Sequence, residues 1–317
     1  MDFKFIQNPV TKNWVISAPR RAKRPDEAKG SEPVCPFCVG REANEREVYR
    51  VQDGKEYSSW PASNASPARQ SPDGSSRMAD GRSVAGWQVR VLPNKFPFAP
   101  IHEVIIHSPD HHKSFDELPL SQSELILKTF RQRFQTHQDK GQVYIFHNHG
   151  EEGGESLPHP HSQLAVVPEH VKMDIPRLHV SSEGEFQETL HFMLSCPAAS
   201  EWPDEVWVFP KKRGRIFSEI TNEEIKDFAK TLYRLIQIMD LRHGHEFPFN
   251  FYIYPGGDWY LRLIPRVKSL GGFELGTGVY VNTQDPKETM TFIKEHFESP
   301  NEEKIRTEHQ ASYKRTV

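Results

Sequence analysis

The stretch "HEVIIHSPDHHKSFDELPLSQSELILKTFRQRF", residues 102–134, has a near copy in "DEVWVFPKKRGRIFSEITNEEIKDFAKTLYRLI", residues 204–236. Glu103 aligns with Glu205 and Phe115 with Phe217, an offset of 102 in both cases. Each copy opens on a β-branched and aromatic run, "EVIIH" or "EVWVF", that reads as a strand. Each continues into a helix begun by the same device, because Ser121 with Glu124 and Thr221 with Glu224 both match the S/T-x-x-E capping box. In the second helix Ile225, Phe228, Ala229, Leu232, Leu235, Ile236 and Met239 recur at the spacing of one buried face; Leu125, Leu127, Phe130 and Phe134 do so in the first. A strand follows each helix, "QVYIF" or "FNFYIY", then a glycine-containing turn and a last strand ending at Pro168 or Pro265. The expected architecture is α+β, one sheet with helices against it, built twice.

The copies differ most between those last two strands, where the first has 11 extra residues that contain "EEGGESLPHPHSQ". Successive strand residues face opposite ways, so His159, His161 and Gln163 share a face, and Pro160 stiffens the display. Two imidazoles about 6–7 Å apart can share one metal, or one can bind metal while the other reacts. Gly153, Gly154 and Ser156 supply what a phosphate needs, a close backbone and a hydroxyl donor, provided that Glu151, Glu152 and Glu155 point away. Arg21, Lys23 and Arg24 in "PRRAKRP" offer charge for the same anion. Cys35 and Cys38 in "CPFC" are spaced for tetrahedral zinc, with His111, His112 and His159 available to complete it. Aligning Pro265 with Pro168 sets Asp258 opposite His161 and Gly256 opposite His159, so the second copy lacks the histidine pair.

The bulk composition narrows the partners. A length of 317 residues with 36% hydrophobic content allows about two domains. A net charge of −3 argues against nucleic acid or an anionic membrane as partner. No apolar run approaches the length of a membrane span, and "MDFKFIQNPV" does not read as a signal peptide, so a cytoplasmic protein is expected. Three cysteines are too few for a disulfide framework. Residues 52 to 86, rich in Ser, Pro, Gly, Asp and Ala, read as an extended loop or partly disordered insert, and residues 299–317 as a frayed tail.

Several of these segments occur together, in order, in one family. With "NPVTKNWVISAPRRAKRP", "CPFC", "VRVLPNKFP", "HEVIIHSPDH", "HNHGEEGGESLPHPHSQ" and "GGFELGTGVYVN", the chain resembles the galactose-1-phosphate uridylyltransferases, the double-domain branch of the histidine-triad superfamily. The resemblance implies two tandem histidine-triad-like domains, each an antiparallel sheet with packed helices, in a pseudo-twofold repeat and a homodimer. Residues 1–178 would form the catalytic domain, and 179–298 a degenerate repeat for sugar binding and dimerisation. It implies that His161 attacks the α-phosphorus of a nucleotide-sugar and passes the nucleotidyl group to a second sugar 1-phosphate, with Gln163 and Ser156 on the phosphate and Asn148 and Gly154 shaping the pocket. Family zinc ligands fall on Cys35, Cys38, His111 and His159. The base would lie near Asn94 and Phe96, Arg21 and Arg24 would contact phosphate, reaching the partner subunit's site, and Phe273 and Glu274 would meet the sugar. The strand "DWYLRLIP" has no histidine, so no second histidine-rich metal site is expected. "GGFELGTGVYVN" is similar also to plant-type ADP-glucose phosphorylases, which pass AMP to inorganic phosphate, and Phe273 stands where uridylyltransferases usually have Tyr.

Overall fold

A computed structural model describes residues 3–23, 35–41, 46–58, 69–70, 76–77, 86–180, 184–244, 247–300 and 303. Arg24, most of the Ser/Pro-rich insert and nearly all of the 299–317 tail lie outside the described residues. Packing divides the chain into two compact units that are not linear in sequence. The first comprises Met1–Ser114, Gln132–Ile145 and Ser156–Asp174; the second comprises Phe115–Arg131, Phe146–Glu155 and Ile175–Val317.

The first unit begins with a hairpin, β1 (Lys4–Gln7) against β2 (Trp14–Ser17), followed by a 3-10 turn over Pro19–Lys23. Its main sheet contains β3 (Tyr49–Gln52), β4 (Lys55–Tyr57), β7 (Trp87–Pro93), β8 (Ile101–Ile106) and β10 (His161–Val167), where the short pair β5 (Arg69–Gln70) and β6 (Ser76–Arg77) lies between β4 and β7 in sequence. The order is β4-β3-β7-β8-β10, every neighbour antiparallel. Residues 52 to 58, expected in a loop, instead complete the β3–β4 hairpin. Strand β10 is buried at every position, and that is why it reads as an apolar run without alternation after its first three residues. Strand β9 (Gln142–His149) and helix α1 (Leu120–His137) each start in one unit and finish in the other.

The second unit orders β11 (Gln187–Glu188), β12 (Phe192–Ser195), β13 (Val206–Pro210), β15 (Leu261–Pro265) and β14 (Phe249–Ile253), again antiparallel. Helix α2 (Asn222–His243) buries all seven residues of its expected apolar face, with Phe228 stacked on Phe192 at 5.0 Å. Thr221 caps α2 as expected: its hydroxyl accepts from the Glu224 N–H, and Glu224 accepts from the Thr221 N–H at 2.8 Å. Ser121 does not cap α1. Pro119 precedes the helix with φ already set, and its carbonyl accepts from Ser123, so the helix starts one turn position early and Ser121 falls inside it. Two shorter helices follow, α3 (Gly272–Thr277) and α4 (Pro286–His296).

The repeat is legible in the buried ion pairs. Glu103 on β8 receives a two-pronged contact from Arg133 at 2.6 and 2.9 Å, and Glu205, its sequence equivalent beside β13, receives one from Arg262 at 2.8 Å on both oxygens. The cation comes from a helix in one copy and a strand in the other. Register corrects one expectation. Glu103 faces Leu164 on β10, and the β13–β15 ladder carried one step back places Ile264 opposite Glu205. The counterpart of His161 is therefore Leu261, not Asp258, and that of Gln163 is Leu263. Ladder pairing, rather than the terminal prolines, fixes strand register. Asp258 lies instead in the turn before β15 with φ +57, accepting from the Gly214 N–H at 2.5 Å. Among the described residues, no helix is long and apolar enough to cross a membrane.

Candidate active site

The candidate face of the first unit is set by the segment that enters β10. His161 opens the strand, 6% exposed, opposite Ile106 of β8. Its Nδ1 lies 2.9 Å from the His159 carbonyl. A carbonyl only accepts, so Nδ1 carries the proton and Nε2 keeps its lone pair. In the neutral imidazole this bond fixes the tautomer. Phe37 of "CPFC" packs edge-on against both rings, its centroid 5.5 Å from His161 and 6.0 Å from His159.

His159 uses the opposite nitrogen. Its Nε2 donates to the Ser108 carbonyl at 2.8 Å, which leaves Nδ1 toward Cys35 and Cys38, each Sγ 3.8 Å away. His111 Nδ1 lies 3.2 Å from Cys38 Sγ, and the four ligand atoms are all within 4.8 Å of one another. Tetrahedral zinc with Zn–S of about 2.3 Å and Zn–N of about 2.0 Å has S-to-N edges of about 3.5 Å, so the donor set fits such an ion. His112, the other candidate, is exposed and turned out of the cluster. Burial pushes the Cys35 thiol up to about 11, and a cation is what would deprotonate it.

Burial likewise pulls His159 from 6.5 down to about 4, against the bond to Ser108. Because the folded value is the lower one, the unfolded chain takes up this proton first as pH falls. The metal-free fold keeps the full contribution above about pH 6.5 and loses it progressively toward pH 4, a total of about 3 kcal/mol. Urea unfolding at pH 7 and pH 4.5 is expected to give a lower midpoint at the acid value, with a smaller drop in His159→Gln.

Gln163 shares the face of His161. Its Oε1 lies 2.9 Å from His102 Nε2 and 3.3 Å from Asn94 Nδ2. Asn94, expected beside a nucleotide base, is part-buried, and its Oδ1 accepts from the Phe96 N–H at 2.9 Å. Arg21 is tied to the same segment of its own chain, donating to the Phe96 carbonyl at 2.6 Å with its guanidinium over the Phe98 ring. Ser162, on the other face, meets His107 at 2.8 Å. Neither His102 nor His107 was singled out in the sequence. Their position at the two ends of "HEVIIH" is the signal that could have drawn attention. Ser156 is half-buried in the segment that leads to His159.

The remaining candidates belong to the second unit. Gly153 is buried where a Cβ would meet the His149 carbonyl oxygen at 2.1 Å, so this turn admits only glycine. Gly154 has φ +79. Asn148 Oδ1 and the Gly153 carbonyl both accept from Asn250 Nδ2, at 2.9 and 2.7 Å, and Arg266 holds Asn250 by its Oδ1. Glu155 folds back to accept from the Gly150 N–H at 2.8 Å, while Glu151 and Glu152 are exposed. Glu274 is bound by Lys268 at 3.0 Å and by the Gly271 N–H. Its neighbours in "GGFELGTGVYVN", Phe273, Leu275, Val279 and Val281, are half or more exposed.

The fold is that of the uridylyltransferases: a solved structure of a uridylyltransferase superposes with a TM-score of 0.67 at 22% identity, over 92% of this chain and 97% of that one. In sequence, residues 101–167 match the family described as galactose-1-phosphate uridyl transferase, N-terminal domain. The chain is similar to ADP-glucose phosphorylase of Arabidopsis thaliana, 28% identical over 91% of this chain and 92% of the relative. It is similar also to galactose-1-phosphate uridylyltransferase of Thermotoga maritima, 26% identical over 91% of this chain and 96% of that relative.

Proposed function

We propose that this protein is a nucleotidyltransferase that works through a covalent nucleotidyl-His161 intermediate, exchanging the nucleotidyl group between a UDP-hexose and a hexose 1-phosphate. The observation that carries the reading is the bond from His161 Nδ1 to the His159 carbonyl, which assigns the attack to Nε2. In the first half-reaction Nε2 forms a bond to the α-phosphorus, the bond from that phosphorus to the bridging oxygen breaks, and sugar 1-phosphate leaves with the electron pair. A second sugar 1-phosphate oxygen then attacks the same phosphorus, and His161 departs neutral. Gln163 and Ser156 hold the phosphate oxygens. The basic run containing Arg21 and Arg24 supplies charge.

Cys35, Cys38, His111 and His159 hold the zinc, which when bound ties three separate segments together. Its effect on chemistry is indirect, since it immobilises His159, whose carbonyl orients His161. Residues 1–178 carry the chemistry and 179–298 the sugar contacts, through Phe273 and Glu274, and the homodimer contact. The exposed apolar strip from Phe273 to Val281 favours that role. A second reading, an ADP-glucose phosphorylase with inorganic phosphate as acceptor, is favoured by the similarity to the Arabidopsis enzyme along most of both chains.

One experiment separates the readings. The purified protein is incubated with UDP-glucose or with ADP-glucose, without acceptor, and its intact mass recorded before and after acid. An acid-labile uridylyl adduct supports the first reading and an adenylyl adduct the second; no adduct with either removes both.

A further inference from the structure

We infer that His102 and Asn94 are positioning residues that lock the Gln163 side-chain amide in one of its two flips, with its NH2 group turned to the phosphate beside His161. The inference rests on the reading of His161 as nucleophile. It concerns residues that this reading leaves without a part in the phosphate site.

The logic is a chain of donors and acceptors that the His102 tautomer decides, because Asn94 Nδ2 lies 3.3 Å from His102 Nε2 as well as from Gln163 Oε1. The Phe98 N–H donates to His102 Nδ1 at 3.4 Å, and the Phe98 ring sits against the imidazole at 4.1 Å between centroids. An accepting Nδ1 places the His102 proton on Nε2. That Nε2 is 2.9 Å from Gln163 Oε1 and donates to it. Asn94 is held the same way round, because its Oδ1 is taken by the Phe96 N–H and its Nδ2 therefore points to Gln163, 3.3 Å away. Two donors meet one oxygen. A flipped Gln163 would set its NH2 against both of them, leaving buried donors facing donors without an acceptor.

Strand geometry makes the arrangement possible. Gln163 is opposite Val104 on β8, and His102, two residues before Val104, is its diagonal neighbour on the same face. His102 is only 4% exposed. Among the described residues, no acceptor takes up Gln163 Nε2. That amino group is thus left to donate on the face it shares with His161, where negative charge builds on the phosphate oxygens as the new bond forms. A donor aimed in advance is worth far more to the rate than one that must first turn.

The test combines a tautomer measurement with a mutant cycle. Imidazole ¹⁵N chemical shifts of the intact protein should report His102 protonated at Nε2 and unprotonated at Nδ1; the opposite tautomer overturns the inference whatever the enzyme does. The rate constant for adduct formation at His161 is then followed by intact mass. His102→Leu should lower it about 10- to 100-fold with the KM for nucleotide-sugar changed less than about threefold, and His102→Gln, which keeps a donor at similar reach, should recover most of the loss. In a Gln163→Leu background, His102→Leu should cost nothing further. If the two losses multiply, or if His102→Gln is as slow as His102→Leu at equal metal content and thermal midpoint, His102 does not act through Gln163. Absence of an adduct in the unmodified protein removes the covalent reading instead, and the tautomer result still decides the orientation.

Discussion

Replacing His161 with Ala or Asn abolishes the nucleotidyl adduct and lowers turnover by on the order of 10⁴- to 10⁶-fold, the loss typical of removing a nucleophile. The substitution leaves the metal cluster untouched, because His161 contributes no atom to it: its Nδ1 bonds to the His159 carbonyl while the cluster uses His159 Nδ1. Metal content and the thermal midpoint are expected to stay close to those of the unmodified protein. Intact mass after incubation with nucleotide-sugar is the direct measurement. Equal turnover by the variant would sink the mechanism.

Replacing Cys35 with Ser has its largest effect on the fold. The thiol is buried beside Phe37, Trp87, Leu92, Val104 and Ile106, so a metal held by the cluster would be part of the core of the first unit. Metal per chain should fall well below one, and unfolding free energy by on the order of 4 kcal/mol, since metal binding and folding are coupled. Adduct formation should slow as well, through the loosened His159 carbonyl. Metal analysis and urea unfolding of the two proteins, purified identically, check this. Unchanged metal content would remove Cys35 from the ligand set.

Much of the fold was legible before any coordinates. The apolar period of 225–239 placed α2 and its buried face correctly, because a helix facing a core needs that spacing wherever it sits. Thr221 announced the start of α2, whereas Ser121 misled, since a proline two residues earlier had already set the helical geometry. The choice of His111 over His112 came from the resemblance alone; spacing had left both open. The structure separates them by exposure, one within reach of Cys38 and the other in solvent.

The sequence by itself determined what local chemistry determines: a duplicated strand–helix–strand–strand pattern, a glycine turn, a stiffened histidine pair and a thiol pair at metal spacing. Each of these needs only neighbours within a few residues. Tertiary structure decided the rest. Register between strands, set by hydrogen bonds to a chain some sixty residues away, made Leu261 rather than Asp258 the counterpart of His161 and brought His102 to Gln163. The tautomers of His161, His159 and His102 follow from which carbonyl, amide or thiol the fold sets beside each nitrogen. A side chain's proton is placed by its partner, and partners distant in sequence are chosen only when the sheet closes.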